Sequence, residues 1–164
     1  MVIILRIWVG SDHGGFELKG KIVEQIIEQG HEVVDVGCSG TDIVRYPYYA
    51  AEVVCAVAEG KAERGILVCS TGIGMSIYAN KFPKIRAALC LTTTMAEMTR
   101  LHNDSNILCL GGKITGEWDA LRILDIWLKT GYEGGRHDIS LDLIAETECI
   151  NMTGDLWKHQ GERK

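Results

Sequence analysis

The sequence predicts an α/β fold with three layers, α/β/α, built around a five-stranded parallel sheet. Three observations predict it. Short apolar runs of strand length alternate with longer runs whose apolar residues recur at helical spacing. Glycine-rich turns punctuate that alternation. Five β-α units in series then give an open parallel sheet with helices on both faces, a Rossmann-like arrangement. The 164 residues suit one domain with a proper core, expected over 1–150, followed by a polar tail at 151–164.

The elements follow in order. Ile3–Val9 is expected as a buried first strand and Gly10–Gly15 as a turn. Phe16–Gln29 reads as a helix stopped by Gly30, and Glu32–Val36 as the second strand. A Gly/Ser/Thr/Asp loop runs to Tyr46, where Pro47 suits the first turn of a helix reaching about Glu59. Gly65–Cys69 is the third strand, and Met75–Lys81 begins the third helix. Arg86–Leu91 is a fourth strand, Thr94–His102 a helix and Asn106–Leu110 a fifth strand. Glu117–Lys129 carries an apolar stripe of Leu121, Leu124, Ile126, Trp127 and Leu128. Gly131–Gly135 breaks it, and a last helix is expected over Ile139–Cys149.

Bulk properties exclude several classes. A formal charge of −5 argues against nucleic acid as the main partner. No apolar run approaches the roughly 20 residues that span a bilayer. Val2–Leu5 lacks a basic flank and a small-residue cleavage site, so it reads as a strand and not a signal peptide. The six cysteines form no C-x-x-C pair, which argues against a zinc ribbon or thioredoxin site. Cys90 and Cys109 sit in apolar runs and are expected to pack as small hydrophobes. Reduced thiols point to the cytosol.

The chemistry concentrates where two loops should meet. Ligands in such sheets bind beyond the carboxyl ends of the strands, where the winding direction reverses. If strands one and three are neighbours, Gly10–Gly15 and Cys69–Gly74 flank that crevice. Cys69-Ser70-Thr71-Gly72-Ile73-Gly74 turns from a strand into a helix start, whose unpaired N–H groups hold an anion and stabilise a thiolate. A cysteine phosphatase would place arginine where Met75 stands, a Walker A lysine is absent, and Gly72-x-Gly74 is only a fragment of a dinucleotide fingerprint. Asp12-His13 offers an acid beside an imidazole, although aspartate serves as readily as an N-cap. Arg100–Asp104 is either capping chemistry or a site with His102 as acid/base and Asn103 as donor. Glu133-Gly134-Gly135-Arg136-His137 is either a surface loop or a guanidinium clamp for phosphate.

These segments together resemble the type B ribose-5-phosphate isomerases. The likeness rests on Ser11–Lys19, Tyr46-Pro47, Cys69–Ile77, Ala79-Asn80-Lys81, Ile85–Ala88, His102-Asn103-Asp104 and Glu133–His137, in that order along the chain. The family includes galactose-6-phosphate and allose-6-phosphate isomerases, and Gly111–Glu117 looks more like the B subunit of the galactose enzyme. The resemblance implies aldose–ketose isomerisation through an enediolate, without metal or cofactor, most simply of ribose 5-phosphate to ribulose 5-phosphate. It implies Cys69 as the base, Thr71 assisting, and the amides of Ser70, Gly72, Ile73 and Gly74 holding the enediolate oxygen. His102 would open the furanose ring, Asp12 would handle hydroxyl protons and Tyr46 would line the sugar site. His13 and Arg136 would hold the phosphate. The family is dimeric or tetrameric, with sites between subunits. His102, Asn103, Lys113 and Arg136 would face the other group across that interface.

The departures from the family pattern are specific. Arg45 replaces an aspartate, Lys113 and Ser140 replace arginines, and Ser70 replaces a glycine. Lysine does not match the bidentate fork of arginine on phosphate. The catalytic set is intact and the phosphate-holding set is altered. A hexose- or tetrose-phosphate isomerase is therefore the alternative within the class. Outside it stand a non-catalytic sugar-phosphate-binding subunit and a cysteine hydrolase.

Overall fold

A computed structural model describes residues 3–151. The strands are β1 (Arg6–Ser11), β2 (Glu32–Asp35), β3 (Arg64–Cys69), β4 (Ala87–Leu89) and β5 (Ile107–Gly111). The helices are α1 (Phe16–Glu28), α2 (Tyr46–Ala58), α3 (Ile73–Ala79), α4 (Thr93–Asn103), α5 (Glu117–Lys129) and α6 (Arg136–Asn151). All strand pairs are parallel, in the order β2-β1-β3-β5-β4. Strands one and three are therefore neighbours, and the winding reverses between them, as the sequence implied.

Strand alternation sorts the core onto two faces. Ile7, Val9, Ile66, Val68, Leu108 and Leu110 pack toward α1 and α5, together with Ala96 of α4. Leu67, Cys69, Ile107 and Cys109 point the other way, toward Val53 and Val54 of α2 and Met75 and Ala79 of α3. Cys69 thus lies on the face covered by α3. Trp127 is fully buried and donates its Nε1–H to Ser105 Oγ at 2.8 Å.

Several expected boundaries move, each for a physical reason. The first strand begins at Arg6, not Ile3; Ile3 and Ile4 are 69% and 62% exposed. β2 and β3 enter the ladder only at Glu32 and Arg64, so no partner strand remains beside Ile3 and Ile4. Gly10 and Ser11 belong to the strand, and the expected turn tightens into a single 3-10 turn at His13–Gly15. α3 starts at Ile73, directly after Gly72, and stops before Lys81. The Asn80 side chain ends it by bonding both Ala87 N–H and Ala87 C=O at 2.9 Å, as an edge strand would. β4 is cut to three residues because Thr92 Oγ1 caps α4 by accepting from Met95 N–H at 3.2 Å. α6 is longer than expected and buries none of its residues, leaving Ile139, Leu143 and Ile144 exposed. The tail expected at 151–164 lies, beyond Asn151, outside the described residues.

One buried cation holds the amino edge of the sheet. Arg100 is 2% exposed and donates to Asp104 Oδ1 at 2.8 Å, Ser105 O at 2.6 Å and Thr130 O at 3.2 Å. Asp104 also accepts from Arg86 at 3.0 Å, and its φ of +43° is a left-handed conformation that asparagine tolerates. Asp104→Asn removes the charge while keeping the backbone. The expected cost is about 2 kcal/mol, read from urea unfolding, because a buried guanidinium loses its counter-charge but keeps two carbonyls.

Candidate active site

The carboxyl edge of β1, β3 and β5 assembles three loops. After β1, Asp12 caps the 3-10 turn: its Oδ1 accepts from Gly14 N–H at 2.9 Å and Gly15 N–H at 3.3 Å. The capping role is therefore real. It occupies Oδ1, so Oδ2 is not needed by the cap. His13 Nδ1 accepts from Val44 N–H at 3.3 Å, which puts the proton of a neutral imidazole on Nε2. A nitrogen carrying a proton is a donor suited to a phosphate oxygen.

The loops approach too closely for side chains at Gly14, Gly15, Gly111 and Gly112. A Cβ on Gly15 would lie 2.5 Å from Val68 O, one on Gly112 2.6 Å from Gly14 O, and one on Gly111 2.7 Å from the Thr71 carbonyl carbon. The loop after β5 is pinned to the one after β3 by Gly112 N–H to Cys69 O at 2.8 Å and Lys113 N–H to Ser70 O at 2.9 Å. Lys113 therefore falls with the Cys69 group of its own chain, contrary to its expected place beside His102. Its side chain is exposed.

Cys69 ends β3 and is 6% exposed. Gly72 N–H donates to its Sγ at 3.1 Å, the contact that a sulfur anion needs. Gly72 achieves this with φ +76°, a left-handed conformation. Ile73 N–H turns back to Thr71 Oγ1 at 3.3 Å, which leaves the Thr71 hydroxyl hydrogen to donate elsewhere. Two of the loop amides expected to face a ligand, those of Gly72 and Ile73, are thus used within the loop. Gly72 at the N-cap has no side chain to offer, so beyond the Ile73–Thr71 bond the Gly74 amide is not satisfied by a cap. The Tyr46 ring lies over this helix start: a Cβ on Gly74 would meet it at 2.8 Å. Burial pushes the Cys90 thiol up to about 12 and the fully buried Cys109 well above its usual range, so both stay protonated, as expected of packing thiols.

His102, Asn103 and Arg136 are elsewhere. His102 and Asn103 end α4, just before β5 begins, and Asn103 O accepts from Arg86 at 2.9 Å at the start of β4. They sit at the amino edge of the sheet. Cys69 pairs with Gly111 at the carboxyl edge, four residues along β5 from Ile107, roughly 13 Å of strand at ~3.3 Å per residue. Arg136 opens α6 on the same amino edge, beside His137, whose ring stacks on His102 at 4.2 Å. One chain brings Asp12, His13, Tyr46, Ser70–Gly74 and Lys113 to Cys69, and leaves His102, Asn103 and Arg136 behind.

The family described as Ribose/Galactose Isomerase matches residues 7–144. The chain belongs to that family. As a member it is an aldose–ketose isomerase. It is 45% identical over 143 residues to "Ribose-5-phosphate isomerase B" of Escherichia coli (strain K12), an alignment covering 87% of this chain and 96% of that protein. The fold matches the Clostridium thermocellum ribose-5-phosphate isomerase B structure with a TM-score of 0.86 at 47% identity, covering 88% of this chain and 97% of that one. It also matches a Mycoplasma genitalium ribose-5-phosphate isomerase B described with bound ribulose-5-phosphate, with a TM-score of 0.85 at 34% identity, over 88% and 96% of the two chains. Among the described residues, no helix is long and apolar enough to cross a membrane.

Sequence reasoning assigned no role to Glu133 and His137. Glu133 Oε2 lies 3.4 Å from His137 Nε2 and 3.8 Å from His102 Nε2. The i,i+4 spacing of Glu133 and His137 was visible in the sequence. The third member, 31 residues away from Glu133, was not.

Proposed function

We propose that this chain interconverts ribose 5-phosphate and ribulose 5-phosphate through a cis-enediolate. Cys69 takes the proton from C2 of the open-chain aldose and delivers it to C1. The observation that carries this reading is the N–H of Gly72 aimed at Cys69 Sγ, at the start of α3. Proton abstraction next to a carbonyl needs a base and donors placed where negative charge develops. Thr71 Oγ–H and the amides of Ser70 and Gly74 serve the enediolate oxygen. Asp12 Oδ2 moves hydroxyl protons, Tyr46 lines the sugar, and His13 Nε2–H meets the phosphate. No metal or cofactor is required by this chemistry.

His102, Asn103 and Arg136 join that site from a second copy of the chain. Their placement at the opposite sheet edge supports this, as does α6 with its exposed Ile139, Leu143 and Ile144. The assembly is then a homodimer, or a tetramer made of two such dimers, with each site shared. His102 of one copy opens the furanose and Arg136 grips the phosphate. Lys113 supplies a positive charge from the Cys69 side.

A panel of phosphorylated tetroses, pentoses and hexoses in deuterium oxide tests the substrate and the reaction together. Ribose 5-phosphate is expected to give the highest kcat/KM, with deuterium appearing at C2 of recovered aldose. Faster turnover of galactose 6-phosphate or a tetrose phosphate would contradict the substrate. Product without carbon-bound deuterium would contradict an enediolate that exchanges with solvent.

A further inference from the structure

We propose that His102, Glu133 and His137 form a binding site for a divalent transition metal of the zinc class, with both imidazole Nε2 atoms and a Glu133 carboxylate oxygen as ligands. The donor atoms all lie within 4.8 Å of one another. In a tetrahedral zinc site with metal–ligand distances of about 2.0–2.1 Å, neighbouring donors are about 3.3 Å apart. Glu133 Oε2 already stands 3.4 Å from His137 Nε2 and 3.8 Å from His102 Nε2. Closing a metal into the cluster draws the donors together and turns one imidazole so that its ring plane contains the ion.

The scaffold brings these three side chains together without the metal. The two imidazoles stack at 4.2 Å with 17° between their planes, so one ring must turn out of the stack for both Nε2 lone pairs to meet a single ion beside Glu133. Glu133 N–H donates to Leu101 O at 3.1 Å, which clamps the loop onto α4 next to His102. Gly134 and Gly135, with φ +71° and +64°, then turn the chain so that His137 comes back under the carboxylate. His137 Nε2 is a buried nitrogen with no hydrogen-bond partner among the described residues. A lone pair or N–H left in that state is costly, and a metal bond would satisfy it. Glu133 is 59% exposed on its side chain, which gives an ion a way in.

The donor set also selects the metal class. Two imidazoles and one carboxylate are too nitrogen-rich for calcium or magnesium, which take oxygen shells. They suit zinc, cobalt and nickel, with a coordination position left for water or another oxygen donor. Occupancy would engage the His102 nitrogen. If His102 opens the sugar ring, a point that rests on the function proposed above, the bound metal withdraws it and slows turnover.

Cobalt(II) titration of the full chain, in a buffer free of phosphate, reads the site directly, followed by displacement with zinc. The expected result is one cobalt per chain with visible d–d bands and no thiolate charge-transfer band. Affinity is expected to fall at least tenfold in both Glu133→Gln and His137→Gln. Glu133→Gln changes an exposed side chain and keeps the test readable if His137→Gln unfolds. Equal affinity in both folded variants, thiolate bands from exposed Cys55 or Cys149 alone, or no binding would overturn the site. Added zinc is expected to slow wild-type turnover at least tenfold and to affect Glu133→Gln far less. Variant-sensitive binding that leaves wild-type turnover unchanged would retain the site and overturn only its link to ring opening.

Discussion

Replacing Cys69 with alanine is expected to lower turnover about a thousandfold, the scale of a lost general base, while leaving KM for the sugar phosphate within about threefold. The thiol is 6% exposed and its Sγ accepts the Gly72 N–H, so its environment serves one atom. The buried thiols of Cys90, just after β4, and Cys109, in β5, are held protonated by burial and offer no substitute. Substrate contacts assigned to His13, Tyr46 and the partner's Arg136 do not run through sulfur, so binding should persist. The cost in stability is small, because alanine leaves a void of one sulfur atom. The check is kcat and KM by a coupled assay, with circular dichroism for folding. A variant retaining more than about a tenth of the wild-type rate would remove Cys69 from the proton path.

Gly72→Ala is expected to cost about a hundredfold in turnover, the loss typical of one displaced oxyanion-type donor, together with about 2–3 kcal/mol of stability. Two effects add. The φ of +76° is left-handed, which penalises any Cβ by about 1–2 kcal/mol. The new carbon would also stand 2.9 Å from the Leu110 carbonyl carbon and 3.0 Å from its oxygen, both backbone atoms of a central strand. That strand is locked in the ladder by β3 and β4 and cannot yield. The loop must move instead, and the N–H leaves the sulfur. Gly116→Ala is the control: its φ is −61° and a Cβ there meets nothing within 4 Å, so rate and stability should stay near wild type. Kinetics and urea unfolding of both variants decide between a specific donor and a generic glycine effect.

The half of the site around Cys69 was legible in the sequence because local features encode it. An apolar strand, a thiol at its end and a glycine that accepts positive φ three positions later stand close together in the chain, and β-α alternation says which sheet edge they occupy. The start of β1 was not legible, since it depends on how early β2 and β3 offer partners to Ile3 and Ile4. The N-terminal shift of α3 follows from Gly72 and from Asn80 pairing with Ala87, a contact made only when β4 is in place. α6 reads as helical, yet none of its residues is buried within its own chain. The position of His102 was the largest gap. Its motif suggests chemistry, but α4 runs antiparallel to the strands and delivers the motif to the wrong edge for Cys69 of the same chain. Sequence pattern cannot distinguish an unused motif from one that works across an interface. The stacking of His102 on His137 is a contact across 35 positions and leaves no local trace.

Complementation between two inactive variants tests the shared site most directly. Cys69→Ala and His102→Asn are each purified, shown to be inactive, then unfolded and refolded together. If Cys69 of one copy works with His102 of another, random pairing restores one intact site in half the dimers, and activity returns to about a quarter of the wild-type rate. A mixture that stays as inactive as its parents, while mass spectrometry shows that mixed dimers have formed, would contradict the account.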